Sequence, residues 1–140
     1  PINRNYAISD FICQAFESKH IKINSTKLTY RSYCDSRIFM EMCISLAERK
    51  FNRIFDSGGF RVEIGMLAKM VSNQTTTELL PRSISNIDEQ DDYCPNNNQY
   101  QELQNLLKIR REKGLLQLIE ETIEGHKVQL NKIFSNEKES

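Results

Sequence analysis

Residues 34–55, CDSRIFMEMCISLAERKFNRIF, constrain the fold more than any other stretch. Ile38, Phe39, Met42, Cys43, Leu46, Ala47, Phe51, Ile54 and Phe55 recur at three- and four-residue spacing, the period of one helix face. Asp35 or Ser36 stands where a side-chain oxygen can take a free N–H of the first turn, and Gly58-Gly59 supplies a stop and turn. Glu41, Glu48, Arg49, Asn52 and Arg53 fall largely opposite. The apolar face is wide enough to contact more than one neighbour.

The rest of the chain is read against this helix. ISDFICQAFESKHIKI reads as an earlier helix that Ser9 can cap, with Phe11, Ile12, Ala15 and Phe16 at helical spacing. NSTKLTYRSY follows as an extended connection in which Leu28 and Tyr30 alternate with polar residues. In FRVEIGMLAKMVSNQ, Phe60, Val62 and Ile64 alternate, while Ile64, Leu67, Ala68 and Val71 step as in a helix. That pattern predicts a short extended lead and a helix from about residue 63. Residues 72–99 are polar, hold Pro81 and Pro95, and read as one long loop; a loop of that length is usually functional, disordered or pinned by a partner.

A final long helix is expected from near Gln99 to about Thr122, with Gly125 as its stop and HKVQLNKIF as a short amphipathic addition. Gly114 falls inside this helix, where a glycine costs about 1 kcal/mol relative to alanine. Leu103, Leu107, Gly114, Leu118 and Thr122 share one stripe, so the glycine is expected to let another element pack close. The expected fold is mostly α: three to four helices in a small single domain over residues 1–134, one short strand pair allowed, and a disordered tail at 135–140.

A chain of 140 residues suffices for one modest core, and 39% apolar with 27% charged residues is a globular composition. The formal net charge is zero, which argues against strong non-specific binding to nucleic acid or an anionic membrane. No apolar run approaches the roughly 20 residues of a membrane span. The chain opens without the marks of a signal peptide, at a Pro1 such as removal of an initiator Met would leave. These readings lead to an intracellular, reducing compartment, cytoplasmic or cytoskeletal, with Cys13, Cys34, Cys43 and Cys94 as free thiols. Charge is uneven. Residues 1–37 hold Arg4, Lys19, Lys22, Lys27, Arg31 and Arg37 against three acids, whereas 86–99 hold Asp88, Glu89, Asp91 and Asp92 and no base. Both stretches are either solvated surface or docking patches for a partner of opposite sign.

Chemistry is sparse. His20 and His126 have no Cys or carboxylate at ligand spacing, and Cys34 and Cys43 stand too far apart for a zinc knuckle, so neither metal nor cofactor is expected. DSGGF follows a helix, whereas a phosphate cradle follows a strand. The five tyrosines are scattered and build no platform for bases. An enzyme would have to use the Pro1 amine as a base, or an exposed thiol such as Cys94. The expected function is that of a non-catalytic interaction or scaffold subunit in a multiprotein assembly. It would bind other protein subunits, without nucleic acid or a small-molecule substrate. The candidate interface residues are Leu103, Leu107, Gly114, Leu118, Phe39, Met42 and Phe51.

The run Leu106-x-x-Ile109-Arg110-x-Glu112-x-Gly114-Leu115 resembles the C-terminal helix of the small subunit of the actin-related protein 2/3 complex, which carries Leu-x-x-Leu-Arg-x-Glu-x-Gly-Leu. DSRIFMEMCISLAERKF is similar, more loosely, to that family's Asp-Arg and long apolar helix, and ISDFICQAFESKHIKI takes the place of its first helix. The family's Pro/Gly-rich loop around Gly-Phe-Pro-Leu has no counterpart here. The resemblance implies a non-enzymatic subunit of an actin-nucleating assembly, docked mainly on one actin-related protein.

Overall fold

A computed structural model of the chain describes residues 6–50, 52, 54–109 and 113–136. Among these, helices and strands alternate: α1 (Ala7–Glu17), β1 (His20–Ile21), β2 (Lys27–Tyr33), α2 (Ser36–Glu48), β3 (Phe60–Glu63), α3 (Ile64–Thr75), β4 (Glu78–Leu79), β5 (Asn86–Tyr93), α4 (Asn97–Leu107) and α5 (Leu115–Asn136). The mostly-α expectation is therefore corrected. The fold mixes five described helices with five described strands in two sheets. None of the described helices is long and apolar enough to cross a membrane.

The correction has two physical sources. The stretch expected as one long loop, 72–99, contains β4 and β5. β5 is NIDEQDDY, in which only Ile87 and Tyr93 favour strands and no apolar alternation shows. Its pairing with β2 makes it a strand, and local sequence does not show that. The expected single helix over 99–122 is two helices. α4 ends where Lys108 turns left-handed (φ 57°), with Lys108 N–H donating to the Asn105 carbonyl at 3.1 Å and Ile109 N–H to that of Gln104 at 2.9 Å. Ile109 then packs back against the cluster that α4 helps to form. α5 starts beyond Gly114, whose carbonyl accepts the Leu118 N–H at 3.2 Å, and runs on through Gly125. Of the tail expected at 135–140, residues 135 and 136 belong to α5 and the rest lies outside the described residues.

The chain forms two compact units, each built from separated segments. The first takes residues 1–24, 65–83 and 114–140. In it β1 and β4 pair in parallel, His20 beside Glu78 and Ile21 beside Leu79. Its buried side chains include Phe11, Ile12, Cys13 and Ala15 of α1, Ile21, Leu67, Ala68 and Val71 of α3, and Ile119 and Ile123 of α5. Polar side chains close the loops. Gln14 Oε1 accepts the Lys22 N–H at 2.7 Å, and Ser72 Oγ donates to the Thr77 carbonyl at 2.6 Å.

The second unit takes residues 25–64 and 84–113. Its three strands lie in the order β3-β2-β5. β2 and β3 are antiparallel, with Tyr30 beside Glu63 and Tyr33 beside Phe60. β2 and β5 are parallel, with Leu28 beside Gln90 and Arg31 beside Tyr93, after a register irregularity between Lys27 and Leu28. α2 follows β2 and α4 follows β5, so both helices start beyond the carboxyl ends of parallel strands. Met42, Leu46, Tyr100 and Leu103 form their shared core, with Ile38, Phe55, Leu107 and Ile109 against it.

Candidate functional site

A cleft of about 420 Å³ opens at the carboxyl ends of β2 and β5, lined by Ser32, Asp56, Ser57, Asp92, Tyr93, Cys94 and Pro95. Ligands of open α/β sheets commonly sit at such strand ends. The loop closing one side is bolted to the start of α4. Gly59 N–H donates to Asn97 Oδ1 at 3.0 Å, Asp56 N–H to Gln99 Oε1 at 3.3 Å, and Gln99 Nε2 to the Ile54 carbonyl at 3.4 Å. Ser32 Oγ donates to the Gly58 carbonyl at 2.9 Å. Gly58 (φ 56°) and Gly59 (φ 120°) have left-handed backbone, and a Cβ would overlap the Tyr100 ring at Gly58 and the Tyr33 carbonyl at Gly59. The glycine pair is thus a close approach and not the expected helix stop, since α2 already ends at Glu48.

Charge pairs stand beside this cleft, and the Asp56 side chain lines it as well. Arg61 Nη2 donates to Asp92 Oδ2 at 2.7 Å while its guanidinium lies 3.7 Å above the centre of the Tyr30 ring. Arg31 Nη2 donates to Asp91 Oδ2 at 2.7 Å, and Lys27 pairs with Glu89. The Arg61 hydrogen bond, followed by one from the Cys94 thiol, holds the Asp92 carboxyl below the usual carboxylate range. Burial, and then the hydrogen bond to Asp92, pushes the Cys94 thiol up. The cleft therefore offers a neutralised carboxylate and a thiol held in its protonated, weakly nucleophilic form. Among the described residues no three His, Cys, Asp or Glu side chains gather as a metal set.

The basic N-terminal half and the acidic stretch, read from sequence as separate patches, meet here. Lys27 and Arg31 belong to one, and Glu89 and Asp91 to the other. Much of the charge that might have attracted a partner is engaged within the chain. The exposed pairs also blunt β5, an edge strand otherwise open to further pairing.

α2 presents a different surface. Asp35 caps it, Oδ1 accepting the Arg37 N–H at 2.9 Å. Burial alone would raise the Asp35 carboxyl, but hydrogen bonds from the Arg37 side chain and backbone more than offset this and leave it lowered. Met42 and Leu46 are buried on the inner side. On the outer side Met40 is 56% and Ile44 57% exposed, with Ala47 exposed one turn on. Arg37, Glu41 and Glu48, all exposed, flank that strip.

The sequence candidates are distributed otherwise. Met42 and Leu103 lie inside the second unit's core, Leu107 packs against it, and Phe39 meets Phe55 with ring centres 6.1 Å apart. Gly114 and Leu118 belong to the first unit, and nothing lies within 4 Å of where a Cβ at Gly114 would be. Phe51 and Pro1 lie outside the described residues. Of the positions that carry the family resemblance, Leu106 lies in α4 and Leu115 opens α5, while Arg110 and Glu112 lie outside the described residues. Met40 and Ile44 escaped sequence reasoning, although a helical wheel sets 40, 44 and 47 on one strip opposite 42 and 46. No protein-family model, curated protein or solved structure matches the chain.

Proposed function

We propose that this chain is a non-catalytic protein-interaction subunit and that the outer strip of α2 is its docking element. One observation carries the reading. α2 is apolar on two sides, yet one side holds the core of its unit while Met40 and Ile44 on the other remain more than half exposed. A helix apolar all round belongs in an interior. Covering a side chain of this size contributes about 1.5–3 kcal/mol when exposure is complete and proportionately less here. The cleft gives a weaker alternative, because its thiol is held protonated and its Asp92 carboxylate is paired.

The test is recovery of the tagged chain from cells under native conditions. Wild type is expected to bring down partner chains, its own untagged copies included. Met40→Glu and Ile44→Glu, both solvent-side changes, should retain helical content and lose them. Recovery of the same partners by both variants would sink the reading. Membership in an actin-nucleating assembly is a narrower form of the same proposal. Its check is whether actin-related proteins are among the chains that the variants lose.

A further inference from the structure

We infer that the strip on α2 docks against the same strip of a second copy of this chain, the two helices running antiparallel. The inference rests on the docking role proposed above and names the occupant. Its basis is the order of charges beside the apolar strip. On a 3.6-residue helix, Arg37, Glu48 and Glu41 all fall within about 60° of Ile44, on one flank of the line Met40–Ile44–Ala47. The flank is basic at the start of the helix, where the Arg37 guanidinium reaches Asp35 at 3.3 Å yet keeps 62% of its side chain exposed, and acidic at the end, at Glu48.

A two-fold axis between antiparallel helices brings each flank against its own copy in reverse. Arg37 then stands opposite Glu48 of the second copy, and Glu48 opposite Arg37, two ion pairs from one symmetry operation. In that register Met40 falls between Ile44 and Ala47 of the second copy, so the apolar line closes on itself. A parallel two-fold arrangement would carry the charged flank of the second copy to the far side of the contact, where neither ion pair forms. The strip is thus self-complementary in one direction only. Glu41 is the exception. It lies near the axis, close to Glu41 and Glu48 of the second copy, and opposes association.

A single helix of 13 residues covers a small area. The pair is therefore weak and reversible, below the size of a standard stable interface. Sedimentation and light scattering of the full chain test it, at about 10 and about 100 µM, where micromolar affinity is visible. The dimer fraction should rise with concentration. Ile44→Glu should weaken association at least about tenfold. Arg37→Glu and Glu48→Arg should each weaken it, and the double variant should restore it. Glu41→Gln should tighten it. Glu48→Arg and Glu41→Gln do not touch the Asp35 cap, so they remain informative if Arg37→Glu disturbs the helix.

A wild-type chain that stays monomeric throughout, a dimer indifferent to Ile44→Glu, or charge reversals that fail to compensate would overturn the inference. Monomeric wild type whose other partners are still lost on Ile44→Glu would overturn self-docking while leaving the docking role intact. If no partner is lost either, both fail.

Discussion

Glycines show how far single residues can be read. The sequence marks Gly58, Gly59, Gly114 and Gly125 equally, but the structure does not treat them alike. Gly58 is held by its left-handed backbone and by Tyr100, which lies far along the chain. Gly125 sits inside α5 with nothing within 4 Å of a Cβ position. Gly58→Ala should destabilise the protein by about 2–4 kcal/mol, combining left-handed strain with displacement of a packed ring. Gly125→Ala should stabilise it by up to about 1 kcal/mol. Denaturant midpoints of the two variants measure both effects. The need for glycine backbone was legible in DSGGF, but the helix stop read there was mistaken, since α2 ends at Glu48. The cause of that need was not legible, because Tyr100 reaches Gly58 through tertiary packing. Cys94 is a parallel case. Its thiol is raised by burial and by Asp92, so removing that negative neighbour lowers its pKa and increases the thiolate fraction at a given pH. Asp92→Asn should accordingly move the midpoint of the alkylation rate against pH to lower pH. A midpoint that does not move would mean that Asp92 does not govern this thiol.

At the scale of elements, legibility followed apolar periodicity. The bodies of α1 and α2, and the passage from β3 into α3, were readable because Phe11, Met42, Val62 and Leu67 each repeat a period that matches the face they bury. Their ends were not: α1 stops at Glu17 before β1 and has no Ser9 cap, and α2 stops at Glu48 rather than near residue 55. β5 was not readable, because what makes it a strand is pairing with β2, far away in the sequence. The break after α4 was not readable because its left-handed residue is Lys108, neither glycine nor proline, and the apolar stripe continues past it. The same stripe misplaces energy if read as one surface. Leu103 is 6% exposed and Leu106 56%. Leu103→Ala should cost about 2–5 kcal/mol through the cavity it leaves, whereas Leu106→Ala should stay within about 0.5 kcal/mol. Thermal unfolding of the two variants decides between a core helix and a uniform docking face.

For the whole molecule, composition bounded the size of the chain and little more. Local patterns cannot show that residues 1–24 and 114–140 belong to one unit while 25–64 and 84–113 form another, since those associations join segments far apart in sequence. Charge balance is also a property of this scale. The zero net charge includes Lys27, Arg31 and Arg61 matched one to one with Glu89, Asp91 and Asp92 inside the second unit, not merely equal totals over the surface.

The interleaving of the units sets an order on synthesis. A ribosome finishes every segment of the second unit when it reaches residue 113, while α1 has already been waiting since the first residues for α5, the helix it meets in the first unit. A nascent chain stalled with α5 still in the exit tunnel should therefore resist protease across 25–64 and 84–113 and be cut at α1. During that interval Phe11 and Ile12 have no Ile119 or Ile123 to join in a buried interior. Of the first unit's helices, α1 thus waits longest for α5.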